Sequence, residues 1–216
     1  MKDNKRDLTP PYAKYLGPLT RPFPDFDFFF IRSLRQEAAD LLELKPGDRV
    51  LDAGCGSGGS FPYLVDRVGP SGEVVGIEIS PETCDSARRR IAKNNWNNVS
   101  VLESPAQTVV LSGKFDALLM FAALDVFASE EALENLFPCL NDYARVVFFG
   151  AKMSDHPLGK LVGPGFRWAV SKLSFPTTPL LEPAPWRIAE RRMEKVEVEQ
   201  FFFKLMFLAS GTVKAK

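Results

Sequence analysis

Apolar residues recur along this chain in two alternating rhythms. Short runs at 49–53, 74–79, 99–103, 115–121 and 143–150 have the length and composition of buried strands. Between them, apolar positions return every three or four residues, as on one face of a helix. Phe30, Leu34, Ala38 and Leu41 form such a stripe, with Arg32, Gln36, Asp40 and Glu43 opposite, and Leu44-Lys45-Pro46-Gly47 stops it. A second helix is expected from about 58 to 68, before the turn Gly69-Pro70-Ser71-Gly72. Ser80 followed by Pro81 starts a third, with Cys84, Ala87 and Ile91 inward and the 94–98 asparagine cluster at its end. A further helix is expected over about 130–140.

Strands alternating with helices predict an α/β fold, a Rossmann-like, doubly wound and mostly parallel sheet. Beyond residue 150 the character changes. Pro157, Pro164, Pro176, Pro179, Pro183 and Pro185 crowd one segment before the alternation Val196-Glu197-Val198-Glu199 begins. That pattern predicts an insertion and then a hairpin, 195–200 with 202–210, giving a seven-stranded sheet with an antiparallel C-terminal edge. One domain is expected over 1–216: an N-terminal arm at 1–24, a ligand-binding core at 25–150, a Pro-rich insertion or lid at 151–185, and a C-terminal helix and hairpin at 186–216. Ligands of open α/β sheets lie beyond the carboxyl ends of the strands, where the two Pro-rich segments are placed to cover them.

The first strand runs into Asp52-Ala53-Gly54-Cys55-Gly56-Ser57-Gly58-Gly59, and Glu78 follows nineteen residues later at the end of the second strand. Glycines in such a turn admit backbone angles closed to other residues and let a ligand approach the main chain. An acid closing the next parallel strand can accept hydrogen bonds from both hydroxyls of a ribose. A nucleoside-containing ligand follows. Gly54-x-Gly56-x-x-Gly59 also fits the dinucleotide fingerprint literally, so an NAD(P)-dependent oxidoreductase is the rival reading. Asp52 weighs against it: at the strand tip an acid repels a pyrophosphate and suits a ligand bearing an ammonium group. No evident Tyr-x-x-x-Lys pair serves hydride chemistry either.

The segment from Val50 to Gly58 closely resembles motif I of the class I S-adenosylmethionine-dependent methyltransferases, and Glu78-Ile79-Ser80-Pro81 resembles their second motif; the likeness extends over roughly residues 44–150. It implies S-adenosyl-L-methionine as cofactor and methyl transfer as reaction. Carried over by position, Gly54 and Gly56, with Cys55 between them, lie under the methionine part. Asp52 orients the loop or the amino group, Glu78 holds the ribose, and Ile79 lies beside the adenine. The family's Gly-Asp-Ala turn after the third strand is here Ser104-Pro105-Ala106, so its adenine-binding acid is absent. The backbone of Pro105 and Ala106 then lines the ring, with Glu103 or Gln107 as substitutes. Phe121 at the fourth strand tip and Tyr15 from the arm complete the cofactor set, an aromatic face being attractive to a sulfonium; anchoring of the arm explains Tyr12 and Tyr15 equally well.

A sulfonium methyl is already electrophilic, so a base is needed only where the acceptor must lose a proton. Asp125, after the fourth strand, and His156, after the fifth, are the candidates; a helix-start acid and a solvated loop histidine are their bland readings. Arg88-Arg89-Arg90 reads as a solvated helix face. The 18 phenylalanines, many flanking the expected mouth, favour an apolar aromatic, quinone-like or lipid-like acceptor over a polar metabolite. Lysines and arginines number 27 against 27 acids, so no basic field draws nucleic acid. Cys55, Cys84 and Cys139 are odd in number and widely spaced, which argues against a disulfide framework or a metal site. Absence of a signal-like or membrane-length apolar run points to a cytoplasmic protein, with peripheral membrane or partner contact left open. A cofactor-binding scaffold without transfer is the non-enzymatic alternative.

Overall fold

The computed structural model describes residues 29–173 and 182–215, and seven strands form one sheet within them. In chain order the elements are α1 (Phe29–Leu41), β1 (Arg49–Ala53), α2 (Phe61–Val68), β2 (Glu73–Glu78), α3 (Pro81–Asn94), β3 (Val99–Glu103), β4 (Phe115–Phe121), α4 (Leu124–Phe127), α5 (Glu130–Leu136), β5 (Leu140–Ala151), α6 (Pro157–Leu173), α7 (Arg187–Glu190), β6 (Met193–Phe201) and β7 (Met206–Val213). The strand order is β3-β2-β1-β4-β5-β7-β6. The first five strands pair in parallel, and β7 pairs antiparallel with both β5 and β6. The order reverses between β1 and β4, which makes the crevice beyond their carboxyl ends the natural ligand site.

Alternation along the strands sorts the core into two layers. Val50 faces Ala38, Ala39, Leu42, Phe61 and Leu64, the layer of α1, α2 and α3. Leu51 and Ala53 face Phe127, Leu133 and Leu136, the layer of α4, α5 and α7. Asp52 follows Val50 by two and therefore points towards α1, at the ligand end of β1. Helix α3 begins as expected: the Ser80 side chain accepts the Thr83 N–H at 3.4 Å and Pro81 opens the first turn. Asn95 closes it in the left-handed conformation.

Several expectations are corrected. The stripe of α1 keeps Ala38 buried and Leu34 and Leu41 partly buried against the core, and widens to Ala39 and Leu42, which were not expected in it. Helix α2 begins at Phe61 instead of 58, because Gly58 has φ +78 and belongs to the loop. Strand β5 starts at Leu140, where a helix was expected to end; a 3₁₀ turn over Phe137–Cys139 ends that helix early, and a register shift near Tyr143 (φ +63) absorbs the extra residues. The Pro-rich segment contains the 17-residue α6, with Pro164 inside it. Phe202 opens no strand. It forms a turn with Phe203 and Lys204, all at φ between +55 and +59, and β7 runs from Met206 to Val213.

Candidate functional site

Sequence places the glycine loop directly after a buried strand, and backbone hydrogen bonds fix it there. The amides of Gly54 and Cys55 both donate to the Ile77 carbonyl, at 2.8 and 3.0 Å. Gly54 (φ +78) needs its missing side chain twice over: a Cβ would lie 2.5 Å from that of Ala123. At Gly56 (φ +56) a Cβ would meet nothing within 4 Å, so the loop opens there onto free space. Cys55 is buried beside them, and burial followed by the Asp52 and Glu78 charges holds its thiol well above the ordinary range. It packs, and does not act as a nucleophile.

Glu78 is bound into this loop. Its carboxylate accepts the Gly56 N–H at 3.0 Å and the Ile79 and Ser80 N–H groups at 2.9 Å each. Its own carbonyl accepts the Ser104 N–H at 3.0 Å, which ties the end of β3 to the end of β2. Burial raises its pKa; the three amides oppose the rise and the charge of Asp125 adds to it. Asp125, in the first turn of α4, is itself raised by burial. Ile79 is half-buried next to Glu78, Pro105 is exposed and Ala106 is buried beyond β3. Asn135 donates to the carbonyls of Ala106 and Val109, at 2.9 Å each, and so fixes that turn without an acid.

Asp52 is the anomaly. It is buried to 1 % exposure, and neither carboxylate oxygen has a hydrogen-bond partner among the described residues. Burial lifts its pKa to about 7, the Arg35 charge opposing and that of Glu78 adding. Burying an acid without hydrogen bonds costs several kcal/mol in an ordinary core, so such a group marks a place where a partner arrives. Arg35, on the buried face of α1, stands at the same place. It donates to Ser60 Oγ at 2.9 Å, stacks 4.4 Å over the Phe121 ring, and occupies the room that a Cβ on Gly59 would take. A buried anion and a cation therefore flank one end of an open glycine loop, and an acid with fixed orientation closes the other. This suits a ligand with a zwitterionic amino-acid end and a ribose.

The structure thus brings Asp52, Gly54, Cys55, Gly56, Glu78, Ile79, Pro105, Ala106 and Asp125 to the carboxyl ends of β1 to β4. Phe121 is buried and stacked on Phe149 at 4.5 Å, so it reads as the floor beneath Arg35. His156 stands apart, between β5 and α6. Its Nδ1 accepts the Leu158 N–H at 3.2 Å and its ring packs on Phe203, which gives it a helix-capping task. Tyr15 lies outside the described residues. Arg90 departs from the solvated triplet: half-buried, it donates to the Ser57 carbonyl at 3.0 Å and braces the loop. Arg35 was missed by sequence reasoning, although its spacing to Ala38, Ala39 and Leu42 was a usable signal.

A family model described as a methyltransferase domain matches residues 44–155, just over half of the chain. The chain belongs to the class I S-adenosylmethionine-dependent methyltransferase family. Among solved structures, a SAM-dependent methyltransferase from Aquifex aeolicus superposes with a TM-score of 0.62 at 22% identity, covering 88% of this chain and 100% of that one. Among curated relatives, the aklanonic acid methyltransferase DauC of a Streptomyces species is 27% identical over 125 residues, 58% of this chain and 54% of the relative. The protein-L-isoaspartate O-methyltransferase of Ignicoccus hospitalis is 45% identical over 63 residues, 29% of this chain and 30% of the relative. The chain thus spans from under a third to about half the length of these curated relatives. The family's donor is S-adenosylmethionine, which displaces the oxidoreductase reading, and the orphaned Asp52 beside an open glycine loop fits it.

Proposed function

We propose that the protein transfers a methyl group from S-adenosylmethionine to a small, apolar acceptor of aromatic, quinone-like or lipid-like character. The observation that carries the donor half is Asp52, a buried acid with no hydrogen-bond partner among the described residues, beneath a loop that is open at Gly56. In this reading Asp52 takes the ammonium of the amino-acid end, Arg35 its carboxylate, and Glu78 the ribose hydroxyls. Ile79 and Ala106 flank the adenine. The bound cofactor supplies an electrophilic methyl on a sulfonium, leaving the protein to align the acceptor and exclude water. Asp125, its pKa raised by burial near the β4 end, is the group to hold a proton released by the acceptor.

Support for an apolar acceptor comes from the side chains beyond β5, where α6 and the 202–204 turn expose leucine, valine, tryptophan and phenylalanine. The relatives named above act on acceptors as different as aklanonic acid and a protein residue, so the choice rests on this chain's own surface. The even balance of 27 cations and 27 acids supports a small molecule over a nucleic acid. A labelled-methyl assay with lipid and quinone extracts tests the acceptor. Label in the organic phase is expected; label only in RNA, protein or polar amines would overturn it.

A further inference from the structure

Nine large hydrophobic side chains stand exposed among the described residues, and all but Val110 and Tyr143 belong to α6, to the segment just before it, or to the turn between β6 and β7. Helix α6 is built inside out. Two of its glycines face the protein: a Cβ on Gly159 would lie 2.4 Å from the Phe203 carbonyl oxygen, and one on Gly163 would lie 4.0 Å from the Leu205 side chain. Phe166 packs against the core, while four of its long apolar side chains face outward. Leu158, Leu161, Val162 and Trp168 fall within one arc roughly 120° wide, and Leu161 is 76% and Trp168 66% exposed. Phe203 packs on His156 at the start of α6, and Phe202 beside it is 62% exposed, so the turn extends the same patch.

Charge is equally one-sided. Between residues 157 and 173 the chain carries Lys160, Arg167 and Lys172 and no acid. Lys160 and Arg167 are exposed, roughly 80–100° round the helix from Trp168 on its side of the arc. The nearest acid, Asp155, is already paired with Lys204 at 3.2 Å. Three glycines and Pro164 within seventeen residues make α6 a poor helix by intrinsic preference, so it draws its order from what it packs against. No described helix is long and apolar enough to cross a membrane. An exposed leucine, valine and tryptophan face on a helix whose own charges are all cations is the pattern of a helix that lies in a lipid interface.

We propose that α6 and the Phe202–Phe203 turn dock on an anionic phospholipid surface, with Leu161 and Trp168 entering the headgroup region and Lys160 and Arg167 meeting lipid phosphates. Strand β5 is parallel to β1 and β4 and delivers the chain to α6 at the same end of the sheet as the glycine loop. Docking therefore turns the mouth of the site towards the bilayer, and an apolar acceptor would enter from lipid without crossing water. That last step rests on the function proposed above; the docking does not.

The test is co-sedimentation of the full chain with vesicles of phosphatidylcholine alone and of phosphatidylcholine mixed with phosphatidylglycerol. Binding is expected on the mixed vesicles and is expected to weaken as salt rises. Leu161→Asp, at an exposed position, should reduce partitioning about tenfold or more. Reversing Lys160 and Arg167 to Glu should reduce it by about fivefold per removed cation, and by more through the added acids. Absence of binding to either vesicle, or a Leu161→Asp variant that binds like the wild type, would overturn the proposal. A dimer in gel filtration that Leu161→Asp dissolves would overturn it too, in favour of a second copy as occupant. Calorimetry with S-adenosylhomocysteine on the same samples keeps the two readings separate: vesicle binding without nucleoside binding fails the function alone, and the converse fails the docking alone.

Discussion

Asp52 is the side chain whose neutralisation should strengthen the ligand-free protein and weaken the loaded one. Burial lifts its pKa from 3.8 to about 7, against the opposing charge of Arg35. A carboxyl whose folded-state pKa lies above its unfolded value costs stability increasingly as pH climbs from about 4 to 7, and the full cost stands above that window. A gap of about three units corresponds to roughly 4 kcal/mol. An asparagine in the same place also lacks a partner, which returns roughly 1–3 kcal/mol. Asp52→Asn is therefore expected to stabilise the ligand-free protein at pH 8 by about 1–3 kcal/mol, or roughly 2–10 °C in Tm for a chain of this size. At pH 5 the advantage shrinks by roughly 2.5 kcal/mol and all but disappears, because the native carboxyl is then largely protonated. Asp125, raised by burial, tilts the wild type the same way and cancels in the comparison; Glu78 is coupled to Asp52, so its contribution cancels only in part. Thermal melts of both proteins at pH 5 and pH 8 give the result, with calorimetry showing at least about tenfold weaker S-adenosylhomocysteine binding by the variant. A variant that melts lower at pH 8, or a Tm difference identical at the two pH values, would refute the reasoning.

Four further substitutions probe the rest of the site. Glu78→Ala removes an acceptor for three loop and strand-end amides, so it should weaken nucleoside binding by about 1.5–3 kcal/mol and also lower Tm; unchanged affinity in titration would remove Glu78 from the ribose site. Gly54→Ala and Gly56→Ala should separate fold from ligand. The first drives a Cβ to 2.5 Å from Ala123 and should cost about 2 kcal/mol or more in urea unfolding. The second, open to 4 Å, should cost only about 1 kcal/mol while abolishing binding; equal stability losses would count against the loop geometry. Arg35→Met should lower affinity for S-adenosylhomocysteine about tenfold or more and leave methylthioadenosine, which has no amino-acid end, unaffected; parallel losses for both ligands would refute its assignment to the carboxylate.

Strands β1, β3 and β4 were legible to the residue because each is rich in apolar residues and follows a glycine or asparagine signal, at Gly47, Asn98 and Gly113. The start of α3 was legible because Ser80 and Pro81 encode it locally. What escaped depends on partners distant in sequence. Helical spacing puts Arg35 on the buried face of α1, but its contacts with Ser60 and the Phe121 ring come from residues far along the chain. Helix α6 was hidden by its own composition, since glycine and proline read as loop until Gly159 and Gly163 are seen against the 202–205 turn. Phe202 and Phe203 carry strong strand preference, yet closing the β6–β7 hairpin requires positive φ at both. The glycine loop and Glu78 were readable as a pair; that Asp52 lacks a hydrogen-bond partner among the described residues is a fact only of the folded chain.

The most direct measurement is calorimetric titration of the full chain with S-adenosylmethionine and S-adenosylhomocysteine, with NADH as the competing ligand. Micromolar binding of the first two, each releasing a fraction of a proton as Asp52 becomes fully ionised near pH 7, and no heat from NADH, is the predicted result. Tight NADH binding without affinity for either sulfur nucleoside would contradict the account.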